Sequence, residues 1–124
     1  MDQILIEIYW KCYVYHPNDE IHWNDKNFVS SELIKNSEYF QYASYNIRND
    51  QKYILKIIKE SSSSDCLKYV SPELQNNENF MLKCIKYNPN SIIHASKNLQ
   101  TDLEFLERAE AKNHYSIVIL NAKN

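Results

Sequence analysis

The chain has 124 residues, is 44% hydrophobic and carries a formal net charge of −2. That length sets a prior for one compact domain, and the apolar share suffices for a core, which excludes a disordered chain. The near-neutral charge makes no electrostatic case for nucleic acid, and the complete lack of glycine excludes phosphate-cradling loops, the dinucleotide fingerprint and a glycine-flanked serine elbow.

The start, Met1-Asp2-Gln3, lacks a basic region, and no apolar run reaches membrane-spanning length. Neither a signal peptide nor a membrane anchor is expected. Residues 2–22 carry two competing signals. Ile4, Ile6, Ile8, Trp10, Cys12 and Val14 alternate with period two, as in a strand. Yet Lys11-Cys12-x-x-Tyr15-x-Pro17-Asn18-x-x-Ile21-His22 matches Lys83-Cys84-x-x-Tyr87-x-Pro89-Asn90-x-x-Ile93-His94, which favours a divergent helical unit. The same region is rich in aromatics. Trp and Tyr are enriched at binding hot spots, which makes Tyr9, Trp10, Tyr13 and Trp23 the candidate partner-binding residues. Residues 23–41 resist one register. Phe28-Val29-Ser30-Ser31-Glu32-Leu33 resembles Tyr69-Val70-Ser71-Pro72-Glu73-Leu74, but only 14 residues separate Ser30 from Ser44. The chain either lost part of a repeat or carries an irregular N-terminal cap, so residues 1–36 are expected to form a divergent N-terminal unit or cap.

From residue 37 onward the chain repeats. Tyr42-Ala43-Ser44-x-x-Ile47-Arg48-Asn49-Asp50 returns as Tyr69-Val70-Ser71-x-x-Leu74-Gln75-Asn76-Asn77. It returns again as His94-Ala95-Ser96-x-x-Leu99-Gln100-Thr101-Asp102, with serine spacings of 27 and 25 residues. Three residues beyond Asp50, Asn77 and Asp102 stand Tyr53, Phe80 and Phe105, followed by Ile54, Met81 and Leu106. Ile57, Cys84 and Ala109 come at the seventh place, and Ile58, Ile85 and Glu110 at the eighth. That spacing predicts one apolar face of an amphipathic helix in each unit. Lys52, Lys56, Lys59, Lys83 and Lys86 fall outside the stripe and are expected in solvent. A second apolar cluster follows each helix: Leu67 to Val70, Ile92 to Ala95, and Ile117 to Leu120, the last read as a truncated terminal unit.

Local signals punctuate these units. Ser71-Pro72-Glu73 predicts an N-cap, a first helical proline and an acidic first turn. Thr101-Asp102-Leu103-Glu104 has the form of a capping box. With no glycine, backbone positions needing positive φ are expected at Asn or Asp, and Asn88 and Asn113 stand where helices should end. Ser61 to Ser64 reads as a flexible turn insertion that lengthens its unit.

Candidate chemistry is thin. Cys12, His16 and His22 could supply three zinc ligands, but Cys12 and His22 have repeat counterparts and no fourth ligand is evident. Cys66 or Cys84 could serve as a nucleophile, although Cys84 falls in the apolar stripe. Three unpatterned cysteines read as reduced thiols inside a cell. Glu104, Glu107 and Glu110 recur at helical spacing and read as a solvated face. No catalytic, cofactor or metal site is expected.

The three blocks over residues 40–50, 67–77 and 92–102 resemble the helical repeat family known as Domain of Unknown Function 4116, whose members repeat L-x-Y-A-S-x-x-L-R-x-D before an apolar helix. The family often has Asn-Gly after the long helix, where this chain has Asn88-Pro89 or the serine run. The resemblance implies an intracellular helical array without established catalytic activity, of a kind found in microbes and viruses associated with amoebae.

The expected fold is all-α. It is a short α-solenoid of stacked helical repeats of about 25–27 residues, forming a single domain over residues 1–124 with repeat units across 37–120. The expected role is a non-enzymatic protein-interaction module in the cytoplasm, or in a host cell if the source is a virus or intracellular microbe. It needs no cofactor and binds a protein partner rather than nucleic acid or membrane. A self-associating assembly subunit is the alternative, and a small metal- or thiol-dependent enzyme a more distant one.

Overall fold

A computed structural model of the protein describes residues 20–123. Every regular element among them is helical. Contacts divide the chain after Ile47 into two compact units, taken here in turn. The strand-or-helix alternation at residues 4–14 lies outside the described residues.

The first unit begins with a short helix, α1 (Glu20–Trp23), then α2 (Lys26–Lys35), a 3-10 helix (Ser37–Tyr42) and α3 (Tyr45–Arg48), which runs across the division. Asp25 starts α2: its Oδ1 accepts the N–H groups of Asn27 at 2.8 Å and Phe28 at 3.4 Å, satisfying donors that a helix start leaves without partners. Val29 and Phe40 are fully buried, and Trp23, Ala43 and Ile47 nearly so. The Trp23 ring meets Phe28 edge-on at 5.0 Å and leans on Tyr42 at 5.7 Å.

The second unit repeats that order of elements. It holds α4 (Gln51–Ser61), a 3-10 helix (Asp65–Tyr69) and α5 (Pro72–Gln75). Then come α6 (Glu78–Tyr87), a 3-10 helix (Pro89–His94) and α7 (Lys97–Gln100). Two further helices follow, α8 (Leu103–Lys112) and α9 (Tyr115–Lys123). Asp50, Asn77 and Asp102 each cap the long helix that follows, accepting the N–H of Tyr53, Phe80 and Phe105. The core joins residues of the stripe read from the sequence, Ile54, Ile58, Phe80, Met81, Cys84, Ile85, Phe105 and Ala109, to Leu67 and Ile92 of the second apolar cluster. Each such Leu or Ile contributes about 1.5–3 kcal/mol by leaving water.

The caps fix the register that residues 23–41 hide. Asp25 stands 25 residues before Asp50 and occupies the same structural position. Phe28 then aligns with Tyr53, Phe80 and Phe105. Glu32 falls where the other units have Ile57, Cys84 and Ala109, so the apolar stripe is broken in this unit and its period is lost. Ser30, the apparent partner of Ser71, lies inside α2. His22 precedes its cap residue by three, as Ile47, Leu74 and Leu99 do, and lies in a short helix. The apparent match of His22 to His94 is therefore not kept, because His94 closes a 3-10 helix.

One device recurs where a short helix follows its predecessor. The backbone N–H groups of Ser44, Ser71 and Ser96 donate to the carbonyls of Trp23, Arg48 and Gln75. Their hydroxyls donate to Asn24, Asn49 and Asn76 Oδ1 at 2.6, 2.5 and 2.6 Å. Each hydroxyl also accepts the N–H three residues on, from Ile47, Leu74 and Leu99. The serine thus starts its own helix and ties it to the end of the previous one. Gln75 and Gln100 add a further tie, donating Nε2 to carbonyls of the preceding 3-10 helix.

Three local expectations are corrected. Thr101 does not cap α8; Asp102 does, while Thr101 Oγ1 donates back to Lys97 O at 2.8 Å. Asn36, Asn88 and Asn113 end long helices with extended backbone, at φ −165°, −149° and −157°. Their Oδ1 atoms accept from Glu38, Asn90 and Tyr115 N–H. An extended residue can close one helix and open the next, so no left-handed turn is required there. Among the described residues the positive φ belongs instead to Ser62, at 57°. The serine run around it is tied in place: Ser61 Oγ donates to Ile57 O at 2.6 Å, and Asn88 Nδ2 to Ser62 O at 3.1 Å.

Candidate functional site: a cationic groove on three long helices

Counted from the capping residue, the third, fourth and seventh places of each long helix turn inward, as does the eighth except at Glu110 of α8. The second, sixth and ninth places share the opposite face, by helical geometry. On α4 those are Lys52, Lys56 and Lys59, on α6 Asn79, Lys83 and Lys86, and on α8 Glu104, Arg108 and Ala111. In the second unit α4 packs on α6, and α6 on α8. Their outward faces therefore join.

The joined face is an open groove of about 920 Å³, where Lys59, Lys83, Lys86, Arg108 and Lys112 stand around Leu55, Leu82, Asn79 and Tyr87. Among the described residues no carboxylate lines it. Beside it a hollow of about 290 Å³ adds Lys52 and Lys56, with Glu60. Seven of the chain's fourteen Lys and Arg residues thus share one side of three helices.

The cations are held differently. Arg108 donates to Glu78 Oε1 at 2.5 Å and lies 3.7 Å from Glu104 Oε2; the hydrogen bond to Glu78 raises its pKa further. The Nζ atoms of Lys59 and Lys86 stand 4.6 and 5.7 Å from the centre of the Tyr87 ring, within the range where a ring face attracts a cation. Among the described residues Lys59, Lys83, Lys86 and Lys112 have no ion-pair partner.

The residues singled out by sequence lie elsewhere. Tyr9, Trp10 and Tyr13 are outside the described residues, as are Cys12 and His16. Trp23 is 4% exposed, so it is a core side chain of the first unit rather than a contact offered to a partner. His22 is exposed, its ring against Phe28 at 5.5 Å. Tyr42, Tyr69 and His94 do share one position, the last residue of each 3-10 helix. Burial lowers the His94 pKa. Cys66 and Cys84 are buried; loss of water pushes the Cys66 thiol up to about 12 and raises that of Cys84 as well. Both thiols are held in the form that does not attack. Glu104, Glu107 and Glu110 are exposed on α8.

The profile of the family described as "Domain of unknown function (DUF4116)" matches residues 25–75 and again 77–121. The chain belongs to this family. The two DUF4116 matches begin at Asp25 and Asn77, both capping residues of long helices. Neither the curated proteins nor the solved structures contain a significant match. Among the described residues of this DUF4116 chain no helix is long and apolar enough to cross a membrane.

The groove was not found from sequence. Its signal is present: Lys56, Lys83 and Arg108 share the sixth place, and Lys59 and Lys86 the ninth. On a single helix such residues read as solvated. They become a site only when neighbouring helices set them side by side.

Proposed function

We propose that this DUF4116 chain is a non-enzymatic interaction module, a short α-solenoid of the cytoplasm whose stacked units present a binding face to a protein partner. The observation that carries this reading is the groove. Among the described residues five cations surround a partly aliphatic floor with no carboxylate between them, and four of the five have no ion-pair partner. Such a surface repels its like and attracts a complementary partner. The raised thiol pKa values of Cys66 and Cys84 support a chain without nucleophilic chemistry at those positions.

Chemical crosslinking in extract of the native cell, followed by mass spectrometry, tests the reading. A partner protein should crosslink through Lys59, Lys83 or Lys86, and the Lys83→Glu/Lys86→Glu variant should lose it. A partner held equally by that variant, or turnover of a substrate by the purified chain, would overturn it.

Self-association is the second reading. Tyr115 and Val118 on α9, and Leu103 at the start of α8, are 66%, 54% and 75% exposed, and a second copy could cover them. Sedimentation across a range of concentrations separates the two readings, since only self-association moves the mass.

A further inference from the structure

Taking the groove as the binding face, and so resting on the reading above, we propose that its occupant is an acidic, amphipathic segment of a partner protein. That segment sets carboxylates against Lys59, Lys83, Lys86 and Lys112 and an aliphatic side chain over Leu55.

Three features select this class over a nucleic acid strand. The first is the floor. Leu55 is half-buried and Leu82 buried beneath the lysines, an aliphatic surface that rewards a Leu or Ile and offers no ring for a base. The second is Tyr87, the aromatic of the groove. Two lysine heads already stand near its ring, at 4.6 and 5.7 Å, whereas strand-binding grooves present bare rings for stacking. The third is Arg108. Its guanidinium is engaged by Glu78 at 2.5 Å, which withdraws from the groove the forked donor that suits a phosphate best. What remains is a set of lysine point charges, matched by carboxylates spaced along a peptide. The net charge of −2 adds no general pull on a polyanion.

The dimensions agree. Helices packed side by side lie about 8–10 Å apart, so three of them span roughly 16–20 Å. A helix of about twelve residues, or an extended run of about six, crosses that width.

Fluorescence anisotropy on the full chain provides the test. The probe is a labelled peptide of about twelve residues with Glu and Leu at helical spacing. It is compared with its Gln-for-Glu and Ser-for-Leu counterparts and with oligothymidine and oligouridine of similar length. The Glu/Leu peptide should bind about ten-fold more tightly than the Gln version and about three-fold more tightly than the Ser version, and weaken as salt is raised. Lys83→Glu/Lys86→Glu should cost about ten-fold, while Lys97→Glu, on the short helix α7, should cost nothing. Circular dichroism confirms that each variant keeps its helices; if the double reversal does not, Lys83→Gln/Lys86→Gln replaces it. An oligonucleotide bound as tightly as the Glu/Leu peptide, or peptide binding indifferent to loss of the two lysines, overturns the proposal. If the crosslinked partner is lost from the lysine variant while no acidic peptide binds, the acidic class falls and the interaction reading stands. If nothing depends on the groove, both fall.

Discussion

The hydroxyl of Ser71 donates to Oδ1 of Asn49 at 2.5 Å, from a position wholly shielded from solvent. The same oxygen accepts the N–H of Leu74, and the Ser71 N–H reaches the Arg48 carbonyl at 2.9 Å. One small side chain therefore starts α5 and fastens it to the end of α3. Ser96 repeats the arrangement with Asn76, and Ser44 with Asn24.

Replacing Ser71 by Ala removes a helix cap and a buried hydrogen bond together. The expected cost is about 1–3 kcal/mol, read as a lower urea midpoint with an unchanged slope. Asn49→Ala should account for part of the same loss. In the double variant the two losses should fall short of their sum, since both remove one interaction. Strict additivity would mean the pair is not coupled.

The long helices predict where the chain tolerates a new neighbour. At the fifth and eighth places α4 carries Leu55 and Ile58, and α6 carries Leu82 and Ile85, whereas α8 carries exposed Glu107 and Glu110. Polar residues there match the outer face of a capping repeat. Glu107→Leu/Glu110→Ile restores the apolar pattern on an uncovered surface and should make the chain associate, with mass in solution rising with concentration. A variant whose mass matches that of the unmodified chain at every concentration would contradict this reading of the eighth place.

Burial of the two thiols fixes a pH dependence. Folding raises the Cys66 pKa from 9.0 to about 12, and raises that of Cys84 too, through loss of hydration. Below 9.0 both states keep the proton and the contribution is fully present. Above it the unfolded chain ionises first, so stability falls as pH climbs from 9 towards 12. Urea midpoints of the wild type should drop over that window more steeply than those of Cys66→Ala/Cys84→Ala. A thiol reagent should label Cys66 and Cys84 only as fast as the chain unfolds.

Glu78 restrains the groove by holding Arg108. Glu78→Gln frees that guanidinium to face the groove and should tighten binding of the acidic Glu/Leu peptide about three-fold, with little change in thermal midpoint, because Arg108 is exposed and water screens the pair. Weaker binding would place Arg108 outside the binding face.

Much of the fold could be read before the structure. Helical periodicity located the long helices, and the Ser71-Pro72-Glu73 start located a short one, because those signals are local and each has one physical cause. The unit opening at Asp25 was hidden by Glu32, which interrupts the apolar stripe, and by the chance likeness of Phe28-Val29-Ser30 to Tyr69-Val70-Ser71. Thr101 misled for the opposite reason: the hydroxyl had two backbone groups within reach, and it bonds the helix behind it. The groove was beyond a residue-by-residue reading. Net charge averages over the surface, so a face holding half of the Lys and Arg residues leaves the total at −2. Trp23 is buried, and aromatic character alone does not tell a core ring from a contact ring.

The most direct test maps the binding face itself. In a two-dimensional NMR titration with the acidic Glu/Leu peptide, backbone amides from Leu55 to Lys59, Leu82 to Tyr87 and Arg108 to Lys112 should shift together and saturate at one affinity. Shifts confined to other helices, or no shift at peptide excess, would contradict a binding face built by these three.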